Sequence, residues 1–203
     1  SMIESYLGPF IVMLMILGTF SNIFLFYSIL ENLNISNFHK KRIIRKAYII
    51  AYIIWFFVFI FGESILYIFG ISIVDFRIAG GVFLSYIAFE MLTKESPSYL
   101  DIKDNKNAES IAITPLATPL LTGPGVMTTT IVYKTYYYDL ILLFITFSLA
   151  FLVSYIIVYY GEIILEKLGK KNILIINKLM ALLLLAIGID FILSGLKVFI
   201  TLV

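Results

Sequence analysis

Long apolar runs separated by short charged clusters make up most of the chain. Residues 5–30, 47–70, 78–92, 110–133, 140–161 and 179–203 are almost free of charge, and a helix needs ~20 apolar residues to cross the hydrocarbon of a bilayer. The pattern predicts six transmembrane segments. Polar stretches are expected as loops at 31–46, 71–77 and 162–178. A larger hydrophilic stretch from 94, with Pro97, Asp101, Lys103, Asp104 and Lys106, reads as a flexible linker between two halves.

Span four cannot be one regular helix. Residues 114–125 read T-P-L-A-T-P-L-L-T-G-P-G. Pro115, Pro119 and Pro124 each lack an amide donor and displace the carbonyl four residues back, and Gly123 and Gly125 weaken the helix further. In hydrocarbon, freed backbone groups are costly unless protein or a water-filled cavity satisfies them. A segment broken in this way is expected beside a protein-lined pathway. Span one has a polar patch of its own, G-T-F-S-N-I-F from Gly18, and is the second candidate for a break. There Ser21 and Asn22 at mid-depth serve either as hydrogen-bond glue between helices or as a substrate contact.

Composition fixes the class. With 61% hydrophobic and 14% charged residues in 203, the chain has more apolar surface than one soluble core can hide. An all-α integral membrane protein follows, with the lipid bilayer as its first partner. The absence of cysteine excludes disulfides, iron–sulfur clusters and thiolate metal sites. The single histidine, His39, lies in a basic cluster and is expected at solvent or headgroups rather than on a metal, so no metal or cofactor is expected. Ser1 ahead of Met2 reads as a residue left by an expression tag. Glu4 before the first apolar run and basic residues after it reverse the order of a cleavable signal peptide.

Charge placement sets the expected orientation. If all six segments cross, the stretches 31–46, 94–110 and 162–178 share one side and hold twelve of the fifteen Lys and Arg, leaving Arg77, Lys134 and Lys197 on the other. The positive-inside rule makes the first side cytoplasmic, with both termini outside a cell membrane. Were spans one and four re-entrant hairpins instead, the split would be ten against five. The basic cluster at 40–46 is therefore read as an orientation signal in preference to a nucleic-acid or anionic-lipid patch.

The chain also resembles itself. G-E-S-I-L-Y-I-F-G from Gly62 and G-E-I-I-L-E-K-L-G from Gly161 share glycine, glutamate, isoleucine, leucine and glycine at one spacing, pairing Gly62 with Gly161 and Gly70 with Gly169. Ala88-Phe89-Glu90 matches Gly188-Ile189-Asp190. Three spans per copy is odd, so the second copy, 111–203, is inverted relative to the first, 2–93, across the linker at 94–110. Inverted repeats with a substrate between discontinuous helices at mid-membrane are a recurrent transporter design. Gly80, Gly81, Ser85 and Ala88 form a small-residue face that packing explains.

Three stretches carry a family resemblance: F-G-I-S-I-V-D-F-R-I-A-G-G from Phe69, P-L-A-T-P-L-L-T-G-P-G from Pro115 and N-K-L-M-A-L-L-L-L-A-I-G from Asn177. In these the chain resembles the MarC family of prokaryotic inner-membrane proteins, which includes transporters of small neutral amino acids. The resemblance implies such a substrate. Relatives usually carry a form like D-P-x-G-N-x-P in the first span. Of that pattern only Asn22 remains here, which implies a more continuous first span.

An amino acid presents a carboxylate, an ammonium and a small side chain. A helix restarting after Gly123-Pro124-Gly125 offers free amides and about half a positive charge to the carboxylate. Thr118, Thr122, Ser21 and Asn22 are candidate substrate contacts, whereas the Thr128 hydroxyl is expected to bond back to its own helix. Asp190 is the acid placed deepest in the membrane and is the candidate proton-coupling group or ammonium partner. Glu63, Glu90 and Glu162 are expected at the membrane interface.

The leading reading is a proton-coupled secondary transporter of alanine-like or glycine-like amino acids. The alternative is an exporter or channel-like pore for another small solute. An enzyme is not expected, since the chain has no Walker A motif, no H-E-x-x-H, and no G-x-S-x-G with an intramembrane histidine.

Overall fold

The computed structural model describes residues 2–32, 36–93 and 123–202, and every regular element among them is an α-helix. In chain order these are α1 (Met2–Ile16), α2 (Thr19–Asn32), α3 (Asn37–Ile68), α4 (Ile73–Thr93), α5 (Pro124–Tyr136), α6 (Leu140–Tyr159) and α7 (Gly161–Leu202). Four stretches are long and apolar enough to cross a membrane: Ser5–Ile23 through the α1–α2 joint, Phe38–Ile68, Leu140–Tyr159 and Gly161–Thr201. The protein is a multi-pass, membrane-embedded helical bundle.

Several expected loops are helical. The basic cluster His39–Lys46 belongs to α3, Arg77 lies inside α4, and Glu162–Lys178 lies in α7 apart from a break at Gly169, whose φ is +76°. Charge marks where a helix leaves hydrocarbon without ending it, because Lys and Arg are good helix formers and neither Gly nor Pro falls between Asn37 and Phe61. The 31 residues of Phe38–Ile68 span ~46 Å, longer than the ~30 Å hydrocarbon layer. The helix therefore projects beyond the membrane at one end or both.

Helix order follows from side-chain pairs. Tyr48 meets Ser154, Tyr52 meets Ser148 and Phe59 meets Phe144, so α3 and α6 run antiparallel. The joined α1 and α2 run parallel to α6: the Tyr137 hydroxyl donates to the Ser5 carbonyl, Thr19 meets Ser154 and the Tyr27 hydroxyl donates to the Val158 carbonyl. α4 and α7 form the most extensive pair, antiparallel, with Ile78 against Gly195 and the Leu92 carbonyl bonded to Lys178. Its close approach uses the small-residue face read from the sequence. A β-carbon on Gly188 would lie 2.5 Å from Ser85 Oγ, so only glycine lets the two backbones meet there.

Trp55 anchors the larger core. Its indole stacks on Phe144 at 5.4 Å, touches Phe59, Phe147 and Phe151, and donates to Thr130 Oγ1 at 2.9 Å. That bond satisfies the one polar atom of a fully buried ring. A second cluster, of Leu84, Ala88, Val132, Leu184 and Phe191, joins α4, α5 and α7. Both cores press α5 between the helix pairs, which positions its first turn.

Candidate functional site: two helix ends meeting inside the bundle

The first span is broken after all. Gly18 adopts φ +63°, a left-handed turn that glycine allows at little cost, and separates α1 from α2. The expectation of a more continuous segment fails because the break rests on this glycine and its polar neighbours and not on the missing prolines. Thr19 Oγ1 lies 2.8 Å from the Leu14 carbonyl, the Asn22 side-chain amide donates to the Leu17 carbonyl at 2.7 Å, and Ser21 Oγ donates to the Gly18 carbonyl at 2.9 Å. Side chains thus replace the backbone donors that an unbroken helix would supply.

These groups belong to a buried network. Thr19 Oγ1 is also 2.9 Å from Ser154 Oγ, which is 2.8 Å from the Tyr48 hydroxyl. A threonine hydroxyl has one proton, and the Leu14 carbonyl can only accept it. Ser154 therefore donates to Thr19 and Tyr48 donates to Ser154, a one-way chain that ends on the carbonyl left over at the end of α1. Asn22 lies beside Tyr48 at the same point. Of the two substrate contacts expected in this span, Asn22 is buried and Ser21 is half-buried, and each is engaged in holding the break.

The second helix end is the start of α5. Gly123 is its N-cap in an extended conformation and Pro124 its first helical residue, the position where a missing N–H does least harm. Glycine brings no side chain to cap the amides of Gly125 and Val126, so these positive helix-end groups need another acceptor. Thr128 donates to the Pro124 carbonyl at 2.7 Å, as expected, and Thr130 to the Val126 carbonyl at 2.7 Å. Thr129 is fully buried and its hydroxyl has no partner among the described residues.

The two ends touch. A β-carbon on Gly125 would lie 3.4 Å from Cγ2 of Ile16, the last residue of α1, and 3.1 Å from Leu84 Cδ2. From this point α5 runs 13 residues, ~20 Å, or less than a full crossing. The contact accordingly lies within the depth of the bundle and not at its rim. Pro115, Thr118, Pro119 and Thr122 lie outside the described residues.

The acids lie in three different surroundings. Asp190 is exposed on α7 and lies near Tyr133 of α5, two helical turns beyond Gly125, ~12 Å along the axis. It does not join the Thr19 and Asn22 network. Glu90 is buried three residues before the end of α4, and Glu63 is half exposed and pairs with Lys134, whose side chain is buried, at 3.4 Å. Lys134 also donates to the Phe59 carbonyl. Arg77, buried as well, lies 4.5 Å from the Tyr136 ring centre and bonds Thr135.

Sequence reasoning missed Tyr48, Ser154 and Thr129. Their only signal was a hydroxyl inside a strongly apolar run, and for Thr129 the run Thr128-Thr129-Thr130. A hydroxyl in such a position must find a partner, but its identity is not written locally.

These features define an integral membrane protein of helices, two of which end against each other in the interior. Residues 3–200 match the family described as MarC family integral membrane protein, and the chain belongs to that family. It is 38% identical over 165 residues to a UPF0056 membrane protein of Buchnera aphidicola subsp. Schizaphis graminum, covering 80% of this chain and 78% of the relative. The UPF0056 membrane protein YhcE of Escherichia coli (strain K12) is 37% identical over 155 residues, 73% of this chain and 72% of that one. MJ1677 of Methanocaldococcus jannaschii, also a UPF0056 membrane protein, is 34% identical over 166 residues, 78% and 80% of the two chains. No solved structure matches the chain.

Proposed function

We propose that the protein is a secondary transporter of small neutral amino acids, alanine-like or glycine-like, coupled to protons through Asp190, and not an enzyme. The observation that carries this reading is the contact of Ile16 with Gly125. It sets the start of α5, whose N-cap Gly123 has no side chain to cap it, beside a helix end already held by side chains. A substrate carboxylate docks on the Gly125 and Val126 amides, where the helix dipole is positive, and glycine leaves room for it.

Six crossings in two inverted halves, 2–93 and 111–203, complete the architecture. The paired glycines support it. Gly70 and Gly169 share the left-handed conformation, with φ of +67° and +76°. Gly62 and Gly161 are both buried against a neighbouring segment: missing β-carbons there would lie 2.7 Å from Ile131 of α5 and 2.8 Å from Tyr27 of α2. Equivalent glycines thus admit α5 in one half and α2 in the other, as a two-fold axis in the membrane plane requires. The basic ends of α3 and α7 face the cytoplasm of a cell-membrane protein, and both termini face outside.

Counterflow in proteoliposomes tests the reading. Vesicles preloaded with unlabelled alanine are expected to accumulate labelled alanine transiently. Downhill leak without counterflow overturns the carrier in favour of a pore for small solutes.

A further inference from the structure

A second feature lies away from the helix ends. Between α3 and α6 runs an open groove of about 450 Å³, from Arg45 at one end to Ile53 at the other. Ile49, Ile53 and Leu152 form its exposed apolar rims. The hydroxyls on its floor are used inside the protein: Tyr52 bonds Ser148 at 2.9 Å and Tyr48 bonds Ser154. What remains is an apolar channel ~12 Å long with a guanidinium at one end. No acidic side chain lines it among the described residues. Beyond Arg45, Lys41 lies over the Tyr159 ring at 4.9 Å, adding a second cation on the same side.

We propose that this groove binds one anionic phospholipid of the surrounding membrane, its phosphate on Arg45 and one acyl chain between Ile49 and Leu152. Charge complementarity selects the occupant. A guanidinium holds phosphate by two parallel bonds, and basic residues at the cytoplasmic end of a helix attract anionic headgroups. The apolar walls continue in the direction an acyl chain takes into the bilayer. A chain in the groove rests on the ring of Tyr48, whose hydroxyl holds Ser154 and through it the end of α1. Lipid binding therefore braces the break from outside.

Native mass spectrometry of the detergent-purified protein, with added phosphatidylglycerol or phosphatidylcholine, tests this. Phosphatidylglycerol is expected to be retained, and to raise the melting temperature, where phosphatidylcholine is not. Arg45→Gln should lower retention about tenfold, the loss of one charged hydrogen-bond pair, and Ile53→Trp should lower it by filling the groove with the charge unchanged. Lys170→Gln, which removes an exposed charge from α7, should leave retention as it was. Equal retention of both lipids, equal losses in Arg45→Gln and Lys170→Gln, or no retained lipid in the parent protein overturns the site.

Discussion

Gly81 and Gly188 face each other across the α4–α7 crossing so closely that a β-carbon on Gly81 would lie 2.5 Å from the Gly188 carbonyl oxygen. Backbone, unlike a flexible side chain, cannot yield to it. Gly81→Val is therefore expected to cost about 3 kcal/mol or more by forcing the helices apart. Gly8→Ala meets nothing within 4 Å beyond its chain neighbours and its own helix, and its gain in helix propensity is offset by the crowding that Pro9 imposes on the residue before it, so stability should change by less than about 1 kcal/mol. Thermal unfolding of the two variants in one detergent checks the contrast.

Gly70 and Gly169 have open space around the missing β-carbon and a left-handed backbone. Alanine at either position meets no clash and incurs only the conformational penalty of about 1–2 kcal/mol. Melting temperatures should fall by similar amounts in Gly70→Ala and Gly169→Ala. A fall in one alone would show that the two turns are not equivalent.

The Thr19 hydroxyl is the terminal donor of the chain from Tyr48 through Ser154. Thr19→Val leaves the Leu14 carbonyl and Ser154 without it, and should cost about 1–3 kcal/mol. Ser154→Ala removes the middle link. The two variants combined should cost less than their separate sum, by about 0.5–3 kcal/mol, in a double-mutant cycle measured by chemical unfolding. Additive losses would mean that the hydroxyls act separately.

Asp190→Asn keeps the size and polarity of the side chain and removes its ability to carry a proton. Proton-driven alanine uptake in proteoliposomes should disappear, while counterflow and the melting temperature stay near those of the parent. Unchanged uptake under a proton gradient would remove Asp190 from the coupling step.

Topology can be read with single cysteines, since the chain contains none. Lys134 is the natural choice from sequence for the outer side, but its side chain is buried. Tyr138, fully exposed between α5 and α6, replaces it. Cysteines at Ser36 and Lys103 should react from the cytoplasmic side and one at Tyr138 from the outside. Labelling of Ser36 and Tyr138 from one side would refute the crossing of α3.

Some of the site was legible because its cause is local. Gly123, Pro124 and Gly125 start a helix wherever they fall, and α5 begins at Pro124. Gly18 was read with Asn22 as a polar patch, and there the loss of family prolines misled, because one left-handed glycine breaks a helix as well as a proline does. Charged runs misled in the other direction. Arg45 and Lys46 looked like a loop, yet nothing in their backbone chemistry ends α3.

The chain by itself determined its solvent and its weak points: apolar runs of membrane-spanning length require a bilayer, and glycine and proline mark where helical hydrogen bonding stops. Only the tertiary structure decided that the end of α1 and the start of α5 touch, that Thr19 and Ser154, 135 residues apart, bond each other, and that Asp190 stands off from both. Propensity acts over a few neighbouring residues, whereas the partner of a buried hydroxyl depends on which helices lie side by side and in what register.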